Sequence, residues 1–411
     1  MNTLKFITAG SVDDGKSTLI GRLLYDSNSI HTDQLGILKK QSKASENGQI
    51  DLSLLTDGLR AEREQGITID VAYKYFSTKK RKFIIADTPG HEQYTRNMIT
   101  GASNADLIVL LIDARKGITE QSKRHASIGS LMGIKKAVVA INKMDLMNFS
   151  ENIFEDIRQN FEAKKAQLNY DEVVYIPVSA LQGDNIVEKS GNMPWYKGKA
   201  LLPYLEEVEI TSHTQSLARF QIQWVIRPKD DAFHDYRGYA GLVLSGMYSV
   251  GDKVQILPAG IETEIASIER HQKEVKQAMA GENIVLHLKD SVDISRGDSI
   301  VKVFEMPQRS NQIKTWLCWF DDTPLNLSKT YLLQHRFKIV RAKIQSVEQK
   351  WDIKEWQFCP ADAVYPNDIV QVSIKTNQPL FFDAFQDIPA NGSAILIDET
   401  SYNTVGACMF L

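Results

Sequence analysis

The sequence predicts a multidomain protein in which an N-terminal α/β domain with a mostly parallel sheet precedes two antiparallel β-barrel domains. The chain has 411 residues, more than one hydrophobic core ordinarily supports, so several domains are expected. Up to about residue 180, continuous apolar runs alternate with amphipathic stretches, a pattern typical of strands buried on both faces of a parallel sheet. From about Leu217 onward, short alternating runs lie between turn signals with almost no helical periodicity, which indicates small antiparallel barrels.

The N-terminal domain is predicted from its individual runs. Alternation at Leu4, Phe6 and Thr8 predicts the first strand, and a helix is expected over 18–25. Further strands are predicted at 83–87, 107–113, 137–142 and 173–178, and helices at 120–131 and 151–168. Because ligands of such sheets bind beyond the carboxyl ends of the strands, Asp87 and Asn142 are site candidates before any motif is considered, as is Ser179.

The C-terminal half is predicted to hold two β-domains. Strands are expected at 220–226, 239–244, 253–257, 315–320, 335–345, 368–374 and 393–397. The segment 307–311 is polar and begins with proline, which predicts a linker. The predicted domains are therefore 1–211, 212–306 and 311–411.

Composition and charge exclude several classes of protein. The chain is 43% hydrophobic and 24% charged with a net charge of −3, which predicts a globular protein without bulk attraction for nucleic acid or anionic membrane. No run of eighteen apolar residues occurs, and the first strand begins too early to leave room for a cleavable signal. Cys318, Cys359 and Cys408 are too few and too scattered for a disulfide framework. We therefore expect a cytoplasmic protein with buried free thiols and no nucleic-acid or membrane partner.

A glycine-rich loop of the form G-x-x-x-x-G-K-[ST] follows the first predicted strand and opens the first helix. In such a loop the backbone N–H groups point at phosphate oxygens, and the following helix adds the positive end of its dipole. Lys16 is expected to reach the β- and γ-phosphates, and Ser17 to ligate Mg²⁺. The predicted phosphate-binding residues are Gly10, Ser11, Val12, Asp13, Asp14, Gly15, Lys16, Ser17 and Thr18.

A second motif follows the strand predicted at 83–87. The order expected of a nucleoside-triphosphatase places a metal-holding segment here, made up of Asp87, Thr88, Pro89, Gly90 and His91. Asp87 would hold Mg²⁺ through water, and the Gly90 N–H would meet the γ-phosphate. His91 would orient the attacking water, and the alternative is that it only caps the next helix.

A third motif is expected to select the base. Asn142, Lys143, Met144 and Asp145 end a buried strand, and the Asp145 carboxylate can accept from both donors on the guanine edge. Adenine offers an acceptor at one of these positions and no donor at the other, so unpaired polar groups reject it. In this order of motifs the nucleotide is predicted to be GTP. Ser179 and Ala180, at the last strand end, complete the predicted base pocket.

The polar stretch from Asp26 to Glu64 interrupts the alternation of strands and helices. A connection of this length beside a phosphate site is usually functional. At its end, Gly66-Ile67-Thr68-Ile69 places a hydroxyl that could close over Mg²⁺ while the γ-phosphate is present. Thr68 is therefore predicted as a metal ligand of the triphosphate state.

Together these motifs, followed by two β-domains, resemble the elongation-factor family of GTPases over essentially the whole chain. Within it, the chain is most similar to the GTPase (large) subunits of bacterial sulfate adenylyltransferases. The closer match lies in the phosphate loop and in the segments 23–27, 55–59, 62–68 and 179–185. Translation factors usually carry His-Val-Asp-His or a similar run inside the loop, and Ser11 and Asp14 depart from it.

The resemblance implies a nucleotidyltransferase complex. A separate small catalytic subunit would join ATP and sulfate into adenylyl sulfate and pyrophosphate, while this chain hydrolyses GTP. The phosphate–sulfate anhydride is less stable than the anhydride consumed, so coupled hydrolysis can pull the reaction forward. Two alternatives remain at this stage: a translational GTPase that binds aminoacyl-tRNA, and a GTP-dependent assembly switch with no coupled enzyme.

Overall fold

The computed structural model describes residues 3–27, 52, 70–91, 94–210, 217–228 and 236–411. The chain divides into two compact units. The first comprises residues up to Ile210 together with Asp352–Phe358, and the second comprises the remainder. None of the helices within these ranges has the length and apolar character needed to cross a membrane.

A six-stranded sheet ordered β2-β3-β1-β4-β5-β6 forms the centre of the first unit. Its strands are β1 (Thr3–Ala9), β2 (Ala72–Ser77), β3 (Lys82–Asp87), β4 (Leu107–Asp113), β5 (Lys136–Asn142) and β6 (Glu172–Pro177). Every neighbouring pair is parallel except β2 with β3. The prediction of a mostly parallel sheet is confirmed, and the antiparallel edge strand β2 is an addition to the predicted strands.

Five α-helices flank this sheet in the described part of the chain. They are α1 (Lys16–Asp26), α2 (Thr95–Ala102), α3 (Glu120–Leu131), α4 (Glu151–Lys165) and α5 (Leu201–Glu207). The Thr119 side chain caps α3 by accepting a hydrogen bond from the Ser122 N–H at 3.1 Å. Leu19 of α1 and Leu201 of α5 are buried with Val109 of β4 in one hydrophobic core. This packing fixes the start of α1, and hence the preceding loop, against the sheet.

The second unit begins with a closed antiparallel barrel. Six strands form a ring in the order β10-β15-β7-β8-β14-β11, which the pairing of β10 with β11 closes. β12 extends this ring beside β11, and β9 pairs separately with β13. The strands are β7 (Arg219–Ile226), β8 (Gly238–Ser245), β9 (Met247–Ser249), β10 (Lys253–Leu257), β11 (Ile261–Arg270), β12 (Lys273–Val275), β13 (Gln277–Met279), β14 (Asn283–Leu288) and β15 (Ser299–Lys302). Its core includes Phe220, Tyr239 and Tyr248.

A second closed antiparallel barrel follows. Its ring has the order β17-β21-β22-β16-β20-β18 and is closed by the pairing of β17 with β18, while β19 lies beside β18. The strands are β16 (Gln308–Trp319), β17 (Tyr331–His335), β18 (Lys338–Asp352), β19 (Gln357–Cys359), β20 (Ile369–Phe382), β21 (Ser393–Asp398) and β22 (Thr404–Phe410). The predicted fold class, an α/β domain followed by two antiparallel barrels, is confirmed.

One predicted segment in this half is wrong, and another begins too early. The predicted linker 307–311 lies mostly within β16, where Gln308 pairs with Phe382, because a polar edge sequence can still complete a barrel strand. The predicted strand 335–345 is confirmed from Lys338 onward as part of β18, but its start spans the turn after β17, where Arg336 has a φ of 58° and His335 pairs with Lys338. The turn contains neither glycine nor proline, so the alternating pattern runs through it without a signal.

The three cysteines are free thiols, as predicted. Cys318 and Cys408 are buried on neighbouring strands, and burial raises the pKa of each thiol to about 12. Cys359 is only half-buried, because it ends the short strand β19 at the margin of the barrel.

Candidate nucleotide-binding site

The predicted phosphate loop connects β1 directly to α1. Gly15 has a φ of 91°, in the left-handed region that favours glycine, and a Cβ there would lie 2.5 Å from the Asn142 Nδ2. The Asp14 Oδ2 accepts a hydrogen bond from the Ser11 N–H at 2.6 Å, which closes the loop on itself. Ser11 and Asp14, the two positions that depart from the translation-factor pattern, are therefore bonded to each other.

The Asp14 carboxylate lies in an electrostatically unfavourable position within this loop. The residue is 1% exposed, and its Oδ1 has no hydrogen-bond partner within the described structure. Burial raises the pKa of Asp14, although the Ser11 N–H and the nearby Lys16 oppose the rise. Buried carboxylate oxygens without a donor are rare in folded proteins.

Lys16 lies buried inside the loop. Its Nζ donates to the Gly10 and Ser11 carbonyl oxygens, both at 3.0 Å. Burial lowers the pKa of Lys16, and the charges of Asp87 and Asp14 oppose this. An ammonium group has three N–H donors, so one remains for a ligand in the loop.

The segment from Asp87 to Gly90 lies against the same loop. Asp87 ends β3 directly beside Thr8 of β1, and the Thr8 hydroxyl lies 3.4 Å from the Asp87 Oδ1. The Thr88 hydroxyl donates to the Thr8 carbonyl at 2.7 Å, and Pro89 is buried. A Cβ on Gly90 would lie 2.5 Å from the Lys16 Nζ and 3.1 Å from the Val12 nitrogen. A larger residue at this position would therefore displace Lys16 and crowd the loop backbone.

His91 lies half-buried at the end of this segment. Its ring packs edge-on to Tyr94 with 6.3 Å between ring centroids, and its carbonyl accepts from the Tyr94 N–H at 3.1 Å. The N-cap residue of α2 is Tyr94, so His91 does not occupy the capping position of that helix.

Asn142 joins the phosphate loop to the predicted base pocket. Its Nδ2 donates to the Asp14 carbonyl at 2.7 Å, and its Oδ1 accepts from the Ala180 N–H at 2.9 Å. Ala180 is held from its other side by Arg22 of α1, whose Nε donates to the Ala180 carbonyl at 3.2 Å. The buried Ser179 accepts from the Gln182 N–H at 3.2 Å. Three loops that are distant in sequence thus meet at one sheet edge.

Lys143 and Asp145 lie on either side of the buried Met144. Lys143 adopts a φ of 64°, and its Nζ donates to the Asp13 carbonyl. Asp145 lies half-buried in a short 3-10 turn, Met144–Met147. Within the described residues its carboxylate has no hydrogen-bond partner, so both oxygens remain able to accept from a ligand.

Two residues at the site were not predicted from the sequence. Asp113 ends β4, and its buried carboxylate pairs with the Lys143 Nζ at 3.0 Å and with Arg115 at 2.7 Å. Burial would raise the pKa of Asp113, but the hydrogen bonds from Arg115 and Lys143 outweigh it and hold the pKa well below its usual range. The second residue is His125 of α3, whose ring Nδ1 accepts a hydrogen bond from the Gly10 N–H. A signal existed for Asp113, since it ends a fully apolar strand at the same edge as Asp87.

The donors expected for Mg²⁺ are compatible with that ion. Ser17 supplies a hydroxyl and Asp87 a carboxylate, both of them hard oxygen donors, whereas Thr68 lies outside the described residues. In the described ranges no group of three or more His, Cys, Asp or Glu side chains could hold a metal by itself.

Comparison with known proteins places this site in a family. Residues 1–224 match the model of the elongation factor Tu GTP-binding domain, and residues 312–411 match a model described as GTP-eEF1A C-terminal domain-like. The GTPase-like domain of Ski7 from S. cerevisiae, solved with GDP and inorganic phosphate, covers 100% of this chain and 97% of its own. Its TM-score is 0.54 at 18% identity, which shows a shared fold.

Relatives that match nearly the whole chain have a much higher sequence identity than this solved structure. Sulfate adenylyltransferase subunit 1 of Teredinibacter turnerae is 48% identical over 99% of this chain and 86% of its own length. The bifunctional enzyme CysN/CysC of Mycobacterium tuberculosis is 46% identical over 99% of this chain and 67% of its own length. The chain therefore belongs to the sulfate adenylyltransferase subunit 1 family, and its N-terminal domain is a GTP-binding domain of the elongation factor Tu type.

Proposed function

We propose that this chain binds GTP with Mg²⁺ at the phosphate loop and hydrolyses it to drive adenylyl sulfate formation on a partner subunit. The main support is the convergence of the phosphate loop with the Asp87, Asp145 and Ala180 segments. Asn142, which precedes Asp145, bonds to both the loop and Ala180, and Gly90 approaches the loop from the Asp87 segment. This arrangement can hold phosphates at one end and a guanine base at the other. The family membership supports the choice of reaction.

Each motif would have a separate task. The loop N–H groups and the third donor of Lys16 would bind the phosphates, and the Asp145 carboxylate would accept from both guanine donors. Ser17 and Asp87 would hold Mg²⁺, which when bound neutralises charge developing between the β- and γ-phosphates. The Gly90 N–H would meet the γ-phosphate. His91 would orient the attacking water, a role that acts in the transition state.

Thr68 would add a third Mg²⁺ ligand only in the triphosphate state. Loss of the γ-phosphate would release it and give an order–disorder switch. Hydrogen exchange of residues in the range of roughly 30–70, with a non-hydrolysable GTP analogue and with GDP, tests this. We expect slower exchange with the analogue, and equal exchange in the two states would refute the switch.

The partner in this proposal is the small catalytic subunit of sulfate adenylyltransferase, because the relatives are named as subunit 1 of that enzyme. ATP and sulfate would bind on that subunit. If the two sites share one conformational equilibrium, then ATP and sulfate there must speed GTP cleavage here, and the GTP state here must favour adenylyl transfer there.

The decisive experiment measures steady-state adenylyl sulfate with the partner subunit, ATP and sulfate in pyrophosphatase-free buffer, with and without GTP. We expect GTP to raise the product level for the natural chain and for Lys253→Ala, which changes an exposed lysine on β10. Lys16→Ala should abolish the increase because it removes a phosphate-binding cation from the loop.

Equal product with and without GTP would overturn the coupling and leave a GTPase that acts as an assembly switch. A parallel titration with aminoacyl-tRNA tests the translational alternative, for which the solved structures offer only a shared fold. Tight GTP-dependent binding of tRNA would replace the proposed function.

A further inference from the structure

His125 lies on α3 and is buried directly beneath the phosphate loop. Only 1% of the residue is exposed, and its Nδ1 lies 2.9 Å from the Gly10 nitrogen. Gly10 is the first residue of the loop, and its carbonyl accepts from Lys16. The peptide groups on both sides of Gly10 are therefore held by side chains, one from inside the loop and one from a helix packed below it.

This contact determines the tautomer and the protonation of the His125 imidazole. A backbone N–H can only donate, so the His125 Nδ1 must present its lone pair and the ring must be the neutral tautomer with a proton on Nε2. The Gln121 side-chain amide lies 2.9 Å from Nε2, and turning that amide by half a revolution lets its oxygen accept the proton. Burial lowers the pKa of His125 to about 3, and the nearby Lys16 and Arg124 add to the effect.

The helix that carries His125 is fixed on another face. The buried Trp356 donates through its Nε1 to the Lys123 carbonyl at 3.1 Å, and Lys123 in turn donates to the Lys354 carbonyl at 2.7 Å. Trp356 also packs edge-on against Phe161 of α4, with 5.3 Å between ring centroids. α3 is thereby a rigid support, and a hydrogen bond from it can set the position of the loop.

We propose that His125 is a positioning residue for the nucleotide site, which holds the Gly10 N–H and so fixes the point where the phosphate loop leaves β1. The inference rests on the proposed function, since it assumes that this loop binds GTP. Both GTP and GDP contact the loop through phosphates that they share, so His125 should set the affinity for both. It touches no reacting atom, so the maximal rate should change little.

Two substitutions separate the hydrogen bond from simple packing. In His125→Asn the Oδ1 stands the same number of bonds from Cα as the Nδ1 and can accept from the Gly10 N–H. In His125→Phe the ring is kept but the acceptor is lost, which leaves a buried N–H unpaired. We expect His125→Phe to weaken GTP and GDP binding by about ten- to a hundredfold, and His125→Asn to stay within about threefold of the natural chain.

Calorimetric affinities, kcat and KM for GTP, and thermal unfolding would be measured on the full chain for each variant. The Gly10 amide proton resonance should lose its hydrogen-bonded shift in His125→Phe and keep it in His125→Asn. The opposite order, with His125→Phe binding normally and His125→Asn weakened, would show a packing role and overturn the proposal. Equal affinities in all three chains would also overturn it. A natural chain that binds no GTP would instead refute the proposed function.

Discussion

The nucleotide site in the first unit and a polar network in the second contain similar side chains, but they differ in how completely those side chains are hydrogen-bonded. In the second unit, Arg219 makes two hydrogen bonds to the Asp383 carboxylate at 2.7 and 2.8 Å, and its Nη1 donates to the Ala218 and Glu305 carbonyls. Asn391 donates to the same carboxylate at 2.7 Å. These buried groups meet each other's hydrogen-bonding needs.

The nucleotide site leaves comparable groups incomplete. Within the described residues the Asp14 Oδ1 has no donor, and neither the Ser17 hydroxyl nor the Asp145 carboxylate has a hydrogen-bond partner. All three lie at the carboxyl edge of one parallel sheet. Complete hydrogen bonding of buried polar groups stabilises the network of the second unit, whereas the nucleotide site keeps polar groups open to a ligand.

The largest expected effect on the nucleotide site comes from Asp145, the residue proposed to select the base. Asp145→Asn loses two charge-assisted hydrogen bonds to guanine, so GTP affinity should fall roughly a thousandfold. The new amide can donate to the 2-oxo group of xanthine, and xanthosine triphosphate should bind more tightly than GTP. Calorimetry with both nucleotides measures the reversal. Unchanged GTP affinity would remove Asp145 from the base pocket.

Breaking the complete network should cost stability and leave nucleotide binding intact. Arg219→Leu leaves the Asp383 carboxylate buried and unpaired, so the free energy of unfolding should fall by about 3–5 kcal/mol. Hydrogen exchange of β7 and β20 in the full chain measures this change locally.

A matched control is the pair of the exposed Arg341 with the half-buried Glu399. Arg341→Leu should change the free energy of unfolding by less than about 1 kcal/mol. The double variant Arg219→Leu/Asp383→Leu should recover much of the lost stability. A GTP affinity that fell with Arg219→Leu would contradict the separation of the two regions.

Removing His91, the residue proposed to orient the attacking water, should affect the rate of hydrolysis but not GTP binding. His91→Ala should slow GTP hydrolysis by about a hundredfold, because general-base or water-orienting groups contribute on this scale, with GTP affinity nearly unchanged. Single-turnover hydrolysis and calorimetry on the same preparation test both halves. Normal turnover in the variant would show that His91 has no catalytic role.

A pH dependence is expected from His335, which bonds to Asn391 of the complete network. Burial lowers the pKa of His335 to about 4, and its Nε2 donates to the Asn391 carbonyl at 3.0 Å. As pH falls below the ordinary histidine pKa of about 6.5, the unfolded chain binds a proton that the folded chain excludes. Stability from this group is thus complete above about pH 6.5 and is lost as pH falls towards 4, by at most about 1.4 kcal/mol per pH unit.

The matched variant is His335→Gln, whose Nε2 can donate to the same carbonyl without titrating. The pH slope of β17 stability, followed by hydrogen exchange, should be shallower in this variant between pH 4 and 6.5. A slope equal to that of the natural chain would assign the pH dependence to other groups.

The motif residues could be predicted from sequence because their chemistry is local. Gly15 and Lys16 lie within one loop, and Asp87 and Asn142 end apolar strands that parallel pairing brings to the same edge. Asp113 carried the same signal, because it ends the apolar strand β4 at that edge, but its pairing with the Lys143 side chain depends on the fold. His125 could not be predicted in this way, because its role depends on the Gly10 N–H that the fold brings beside it. Trp356, more than two hundred residues from Lys123 in sequence, is the extreme case.

The class of each domain, the position of the phosphate loop and the family could all be predicted from the sequence, since periodicity, turn spacing and short motifs are properties of neighbouring residues. Tertiary structure alone decided how the barrels close, through the β10–β11 and β17–β18 pairings. It also decided which buried polar groups complete one another and which stay open. Hydrogen bonds between distant residues form only where packing has already fixed both partners, so no local pattern records them.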